Sequence, residues 1–175
     1  MKNTAIVIGH HEGKKGFFSK HFGMNEFDFY NKVVKKLSNV EVFRYDSGIS
    51  GYKSRVKDTA KKLDNFDLVV ELHFNGFDNI KVGGCETLYL HGSKEGKRIA
   101  KMFSGFIHDA TGIKLRNNGL KALRSSSDRG FASVHYPTPP SILIEPFFGS
   151  NVEDCKKIES SDNLACIINN FLENV

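Results

Sequence analysis

The chain of 175 residues is long enough to bury a full hydrophobic core and fits one domain, expected to span 1–175. With 39% hydrophobic and 26% charged residues it is neither a disordered nor a fibrous sequence. A formal net charge of +5 points to an anionic partner, which leaves nucleic acid, a membrane surface and an anionic wall polymer in play.

No apolar run approaches the roughly 20 residues of a membrane helix, so membrane insertion is not expected. Lys2 is followed only by a short strand-like run with no small-residue cleavage site. The expectation is therefore synthesis in the cytoplasm without a signal peptide, any action on an outside target requiring release. Cys85, Cys155 and Cys166 are odd in number and widely spaced, which argues against a disulfide framework and against a cysteine zinc site.

In chain order, "AIVI" (5–8) reads as a buried strand. The stretch 25–37 carries Phe27, Tyr30, Val33, Val34 and Leu37 at helical spacing. "VEVFRY" (40–45) alternates as a strand, and 52–66 reads as a helix with Val56, Ala60 and Leu63 inward. Strands are expected at 67–74 and 85–90, followed by a helix over 94–112 that Gly112 closes. A short strand at 120–123, a strand at 141–145 and one or two helices over 151–173 complete the pattern. Strands alternating with helices imply an α/β layer fold with a partly parallel sheet, without repeats or a second domain.

Three apolar runs end alike: "AIVIG" in His10-His11, "DLVVEL" in His73, and "SILI" in Glu145. In open α/β sheets, ligands and catalytic groups gather beyond the carboxyl ends of the strands. Glu26 lies four residues before Tyr30 and so shares the inward face of its helix, a costly place for a carboxylate without a partner. Two histidines and a glutamate with an open fourth position form a ligand set used by catalytic zinc, and a further carboxylate serves as general base. The residues proposed are His10, Glu26 and His73 for zinc and Glu145 for proton transfer.

Each assignment has a plainer competitor. Strand-end histidines are commonly surface residues, Glu26 can stabilise its helix start through the macrodipole, and Glu145 can be a solvated strand end. Successive strand side chains point to opposite faces, so His10 and His11 are not both expected to serve. The chain has no H-E-x-x-H helix, no G-x-S-x-G elbow and no P-loop. "HHE" lacks the P-C-x-x-C partner of the zinc deaminases.

The blocks "IVIGHHEGKKG", "NEFDF", "ELHFNGF", "GCETLYL" and "SILIEPFFGSN" stand in the order seen in zinc-dependent N-acetylmuramoyl-L-alanine amidases. The chain resembles the single-domain amidases of phage lysis systems over nearly its whole length. The family's first histidine maps onto His10, its ligand glutamate onto Glu26, the histidine of its H-x-N segment onto His73 and its catalytic glutamate onto Glu145. "HHEGKKG" departs from the family's glycine-rich H-G-G at the first histidine. The resemblance implies a three-layer α/β fold, a twisted, mixed and mostly parallel sheet with helices on both faces. It also implies hydrolysis of the amide joining the lactyl group of N-acetylmuramic acid to L-alanine in peptidoglycan.

Further residues follow from chemistry. Glu71, two before His73 on the same strand face, is placed to fix that histidine or line the site. Asn75 can hydrogen-bond substrate or shape its turn, and Arg124 and Arg129 can meet substrate carboxylates. Pro146, Phe147 and Phe148 are expected to pack and orient the loop after Glu145. Three functions compete. The first is a monomeric zinc amidase of peptidoglycan, a phage-type lysin with no nucleic-acid partner. The second is a zinc hydrolase of another amide, a metallopeptidase or an N-acyl amino acid deacylase. The third is a basic non-catalytic module that binds wall or nucleic acid, which the spread of lysines over several helices disfavours.

Overall fold

All five residues of β1 (Thr4–Ile8) are buried, as a strand covered on both faces requires. The structure is a computed structural model that describes residues 2–175. After β1 come a small hairpin, β2 (Phe18–Ser19) and β3 (Met24–Asn25), and then α1 (Glu26–Val33), whose end tightens into a 3-10 turn at Val34–Lys36. β4 (Val40–Arg44), α2 (Tyr52–Ala60) and β5 (Leu68–Leu72) follow. Next are β6 (Cys85–Leu90), α3 (Lys94–Thr111) and β7 (Leu115–Leu123). α4 (Phe131–His135), β8 (Ser141–Glu145), α5 (Val152–Ile158) and α6 (Ser161–Asn174) end the order.

Six strands form one sheet in the order β4-β1-β5-β8-β6-β7. Every pairing is parallel except that of β6 with β8. The expected mixed, mostly parallel sheet is what the chain builds. Alternation along β1 sends Ile6 and Ile8 into the larger core cluster and Ala5 and Val7 into a smaller one on the opposite face. The larger cluster holds Tyr30 of α1, Phe103 of α3, Ile158 of α5 and Phe171 of α6. Val56 of α2 and Ala132 and Val134 of α4 cover the other face. Helices thus lie on both faces, in three layers.

The caps explain where several helices begin and end. The side chains of Asn25, Ser93, Asn151 and Ser160 accept from backbone N–H groups at the starts of α1, α3, α5 and α6. Gly112, left-handed at φ 66, stops α3 where the sequence placed its end. Several elements differ from expectation. The helix expected over 52–66 ends at Ala60, because Lys62, Leu63 and Phe66 donate three residues back in successive turns. β7 begins at Leu115 rather than near 120, since Asn117, Asn118 and Gly119 all take positive φ and the ladder shifts register across them. The β2–β3 hairpin and α4 are too short to show a period in the sequence.

From β1 the chain passes through α1 to β4 on one side, and from β4 through α2 to β5 on the other. Strand order therefore reverses at β1, and the crevice beyond the carboxyl ends of β1 and β5 is the place such a sheet offers a ligand. Under that crevice lies an aromatic cluster. The Phe29 ring packs on Phe22, Tyr30, Phe74 and Phe147 with centroids 4.9, 5.5, 5.7 and 5.7 Å away. Phe74 follows His73, and Phe147 lies two residues past Glu145, so this packing sets both strand ends. Phe29→Ala is expected to lower stability by about 3–5 kcal/mol, read as a shift of the urea midpoint at unchanged slope. A loss below about 1 kcal/mol would show that the cluster repacks and does not hold the strand ends.

Candidate metal centre and active-site cleft

Glu26 opens α1 at the bottom of the crevice and is 2% exposed. Each carboxylate oxygen has two neighbours. Oε1 accepts from the Phe74 backbone N–H at 3.1 Å and faces His73 Nδ1 at 3.2 Å. Oε2 accepts from the Phe17 N–H at 2.9 Å and faces His10 Nε2 at 3.1 Å. Burial alone would push this carboxyl up, but the two imidazoles overcome it and hold the group down at about 2. Glu26 is a carboxylate at every ordinary pH.

His10 reaches Glu26 by leaving the strand. Its φ of 68 is left-handed, and the turn drives the ring toward α1, edge-on to His73 with centroids 5.0 Å apart. The opposite-faces argument for His10 and His11 does not apply there, because neither residue is still in β1. Both line the cleft, and His10 alone joins Glu26 and His73. Two glycines make room for this approach. A Cβ on Gly9 would sit 2.2 Å from His73 Nε2, and one on Gly16 would meet Glu26 Oε2 and the His10 ring at 2.6 Å. Gly16 also needs its left-handed φ of 81.

His73 is held from both sides. Its Nε2–H donates to Glu71 Oε1 at 2.9 Å, and the Tyr45 hydroxyl donates to Glu71 Oε2 at 2.6 Å. With Nε2 protonated, the Nδ1 lone pair faces a Glu26 oxygen, an arrangement that needs either a second proton or a cation between them. Burial would lower the His73 pKa, yet Glu26 and Glu71 raise it to about 10, the proton standing in for a cation. His10 Nε2 is buried near Glu26 without the alignment of a hydrogen bond, as expected of a lone pair aimed at a shared third atom. One donor atom from each of His10, Glu26 and His73 lies within 4.8 Å of the other two. The set fits a divalent cation, with Glu71 placed as the outer carboxylate that orients a ligand histidine.

Glu145 ends β8 beside β5 and lines the same cleft. Asn75 Nδ2 donates to its Oε2. Burial raises the Glu145 pKa; the His73 charge opposes that and Glu86, its partner across the β6–β8 ladder, adds to it. The cleft, of about 470 Å³, continues over Tyr45, Tyr52 and Arg55 to the loop Ser126–Gly130. Arg129 lines it, whereas Arg124 turns to the surface and donates from Nη1 to His91 Nε2 at 2.7 Å. The structure does not bring Arg124 to the cleft. Phe147 and Phe148 pack as expected, both buried.

Sequence reasoning did not single out Tyr45, Tyr52, Arg55 or Glu86. Tyr45 follows the carboxyl end of β4, and α2 starts beyond that end, so the rule that flagged the histidines also reaches Tyr45 and the first turns of α2. Glu86 is the second residue of β6, which runs antiparallel to β8 and sets it opposite Glu145, and no sequence pattern announces strand direction.

A family model described as N-acetylmuramoyl-L-alanine amidase matches residues 5–175. No curated protein matches the chain. Among solved structures it is similar to the N-acetylmuramoyl-L-alanine amidase from Clostridium difficile 630, with 24% identity, TM-score 0.74 and coverage of 98% of this chain and 95% of that one. The catalytic domain of the CD27L endolysin targeting Clostridium difficile shares 20% identity at TM-score 0.75, over 99% of this chain and 98% of that one. For the amidase AmiC2 of Nostoc punctiforme the values are 20% identity, TM-score 0.72, and 98% and 96%. At such identities these structures establish a shared fold, and the family match reaches further. The chain belongs to the N-acetylmuramoyl-L-alanine amidase family, enzymes of peptidoglycan hydrolysis.

Proposed function

We propose that the chain is a zinc-dependent N-acetylmuramoyl-L-alanine amidase in which His10, Glu26 and His73 hold the metal and Glu145 moves the proton. The observation that carries this reading is the convergence of the three donor atoms at the carboxyl ends of β1 and β5, with a buried glutamate at the end of the neighbouring β8. His10 offers Nε2, His73 offers Nδ1, and Glu26 offers a carboxylate oxygen. Zinc bound there supplies Lewis acidity, polarising the amide carbonyl and bringing the pKa of a water toward neutrality.

The rest is done by the chain. Glu71 accepts from Nε2–H of His73 and so keeps the ring turned with Nδ1 toward Glu26, where it would meet the metal. Asn75 holds one oxygen of Glu145, which orients the carboxylate to take the proton of the attacking water and to return it to the leaving alanine nitrogen. Burial raises the Glu145 pKa toward the value such a two-way transfer favours.

The biological role follows from the resemblance to phage lysis amidases and from the likeness to an endolysin catalytic domain. In this reading the chain is a monomeric lysin that acts on the wall after release. Its charge of +5 aids encounter with an anionic wall. Among the described residues, no helix is long and apolar enough to cross a membrane.

Digestion of purified peptidoglycan with and without chelator, followed by mass spectrometry, tests the reaction. New free L-alanine amino termini on stem peptides, with intact glycan strands and loss of activity on chelation, are expected. Cuts inside the stem peptide would mark a metallopeptidase instead. Glu145→Gln is expected to lower kcat by about 10²–10⁴-fold while the variant retains the zinc content of the parent by elemental analysis. Loss of zinc in that variant would move Glu145 into the ligand set. Glu71→Gln is expected to weaken zinc binding by about 10–100-fold in chelator competition, and unchanged affinity would reduce Glu71 to a bystander.

A further inference from the structure

The charged groups of the cleft are unequally employed. Its carboxylates have partners within the protein: Glu71 accepts from His73 and Tyr45, Glu145 accepts from Asn75, and Asp128 accepts from the backbone N–H groups of Arg124 and Ser125. The cations do not. Lys14, Arg55 and Arg129 all line the cleft, and among the described residues none of them forms an ion pair.

Arg55 stands out among the three. It projects from α2 and is anchored by Nη1, which donates to the Ile49 carbonyl at 2.9 Å. Its Nε is buried with no hydrogen-bond partner, and so is Nδ1 of His11, another residue of the same cleft. A buried guanidinium N–H without an acceptor costs free energy, and a structure keeps such a group where something else satisfies it. An imidazole nitrogen and a guanidinium N–H, with a lysine on the turn that joins His11 to Lys14, are the donors a carboxylate takes. His11 follows His10 directly, so this group begins one residue from the metal-ligand set.

We infer that Arg55, with His11 and Lys14, forms a subsite for a carboxylate on the peptide side of the scissile amide. The inference rests on the amidase reading and adds a substrate feature to it. In peptidoglycan the residue after L-alanine is a γ-linked glutamate whose α-carboxyl is free in some walls and amidated in others. The subsite therefore makes this enzyme selective for stem peptides with a free carboxylate at the second position.

The test compares two disaccharide-tetrapeptides that are identical except at that position, one with isoglutamate and one with isoglutamine. The exchange alters charge and hardly alters shape. The zinc-loaded protein is expected to favour the free acid by about tenfold or more in kcat/KM, as one charge-assisted pair at a partly enclosed site allows. In Arg55→Gln, which keeps a donor for the Ile49 carbonyl, the ratio is expected to fall to within about twofold of unity. Because each ratio is taken within one preparation, partial misfolding of the variant cancels from it. Equal hydrolysis by the parent protein, preference for the amide, or a ratio that survives in Arg55→Gln would overturn the subsite and leave the amidase intact. Cleavage of neither compound would overturn the amidase reading and the subsite with it.

Discussion

Fold and site meet in the buried carboxylate of Glu26. It accepts backbone N–H groups from Phe17 in the loop before the hairpin and from Phe74 after β5, and faces one imidazole from each of two strand ends. Three chain segments, the ends of β1 and β5 and the loop at Phe17, therefore depend on one ionised group. Its position at the first turn of α1 adds the positive end of the helix dipole to the same field. A residue without an acceptor at that position would leave the Phe17 and Phe74 N–H groups unpaired and remove the anion that both imidazoles face. The same group that organises the loops is the anionic member of the proposed metal set. Site assembly is thus part of folding and not an addition to it.

Topology explains why these particular segments converge. The chain leaves β1 in one direction through α1 and reaches β5 from the other through α2, so the two faces of the sheet contribute different parts of the site. The α1 face supplies Glu26 and the aromatic packing beneath it. The α2–α4 face supplies the hydrogen-bonded series from Glu71 through Tyr45 and on to Ser133 and Tyr52. Glu71 points to that second face because it alternates with Val70 and Leu72 along β5. His73 is therefore clamped between layers, by Glu26 from one and Glu71 from the other.

Much of this was legible in the chain because strand ends carry a readable sign: an apolar run that stops at an imidazole or a carboxylate. His10, His73 and Glu145 were found that way, and the structure brings them to one crevice. Glu26 was legible for a different reason, since a carboxylate on the inward face of an amphipathic helix needs a partner. Residues that act from the middle of elements, or through backbone geometry, were not readable. The left-handed φ of His10 decides between two adjacent histidines, and period-2 reasoning fails once the chain has left the strand. Asn117 to Gly119 hide the first half of β7, because a bulge interrupts the period by which strands are recognised. Arg124 and Arg129 are chemically alike in sequence, and only the course of the loop sends one to the cleft and the other to the surface.

The net charge of the chain says less about its substrate than the state of its cleft does. Most of the lysines lie on exposed helical faces, where salt screens them and water satisfies them. Within the cleft the balance is set by which charges are already engaged. Carboxylates that orient His73, cap a loop or bond to Asn75 contribute little free acceptor capacity to a ligand. Arg55, whose Nη1 is engaged by the Ile49 carbonyl, keeps its buried Nε–H free for a ligand. A cleft can thus hold three carboxylates and still present cationic donors to what enters it. Recognition of an anionic peptide then comes from a few groups left unsatisfied by the fold, and not from the overall excess of basic residues.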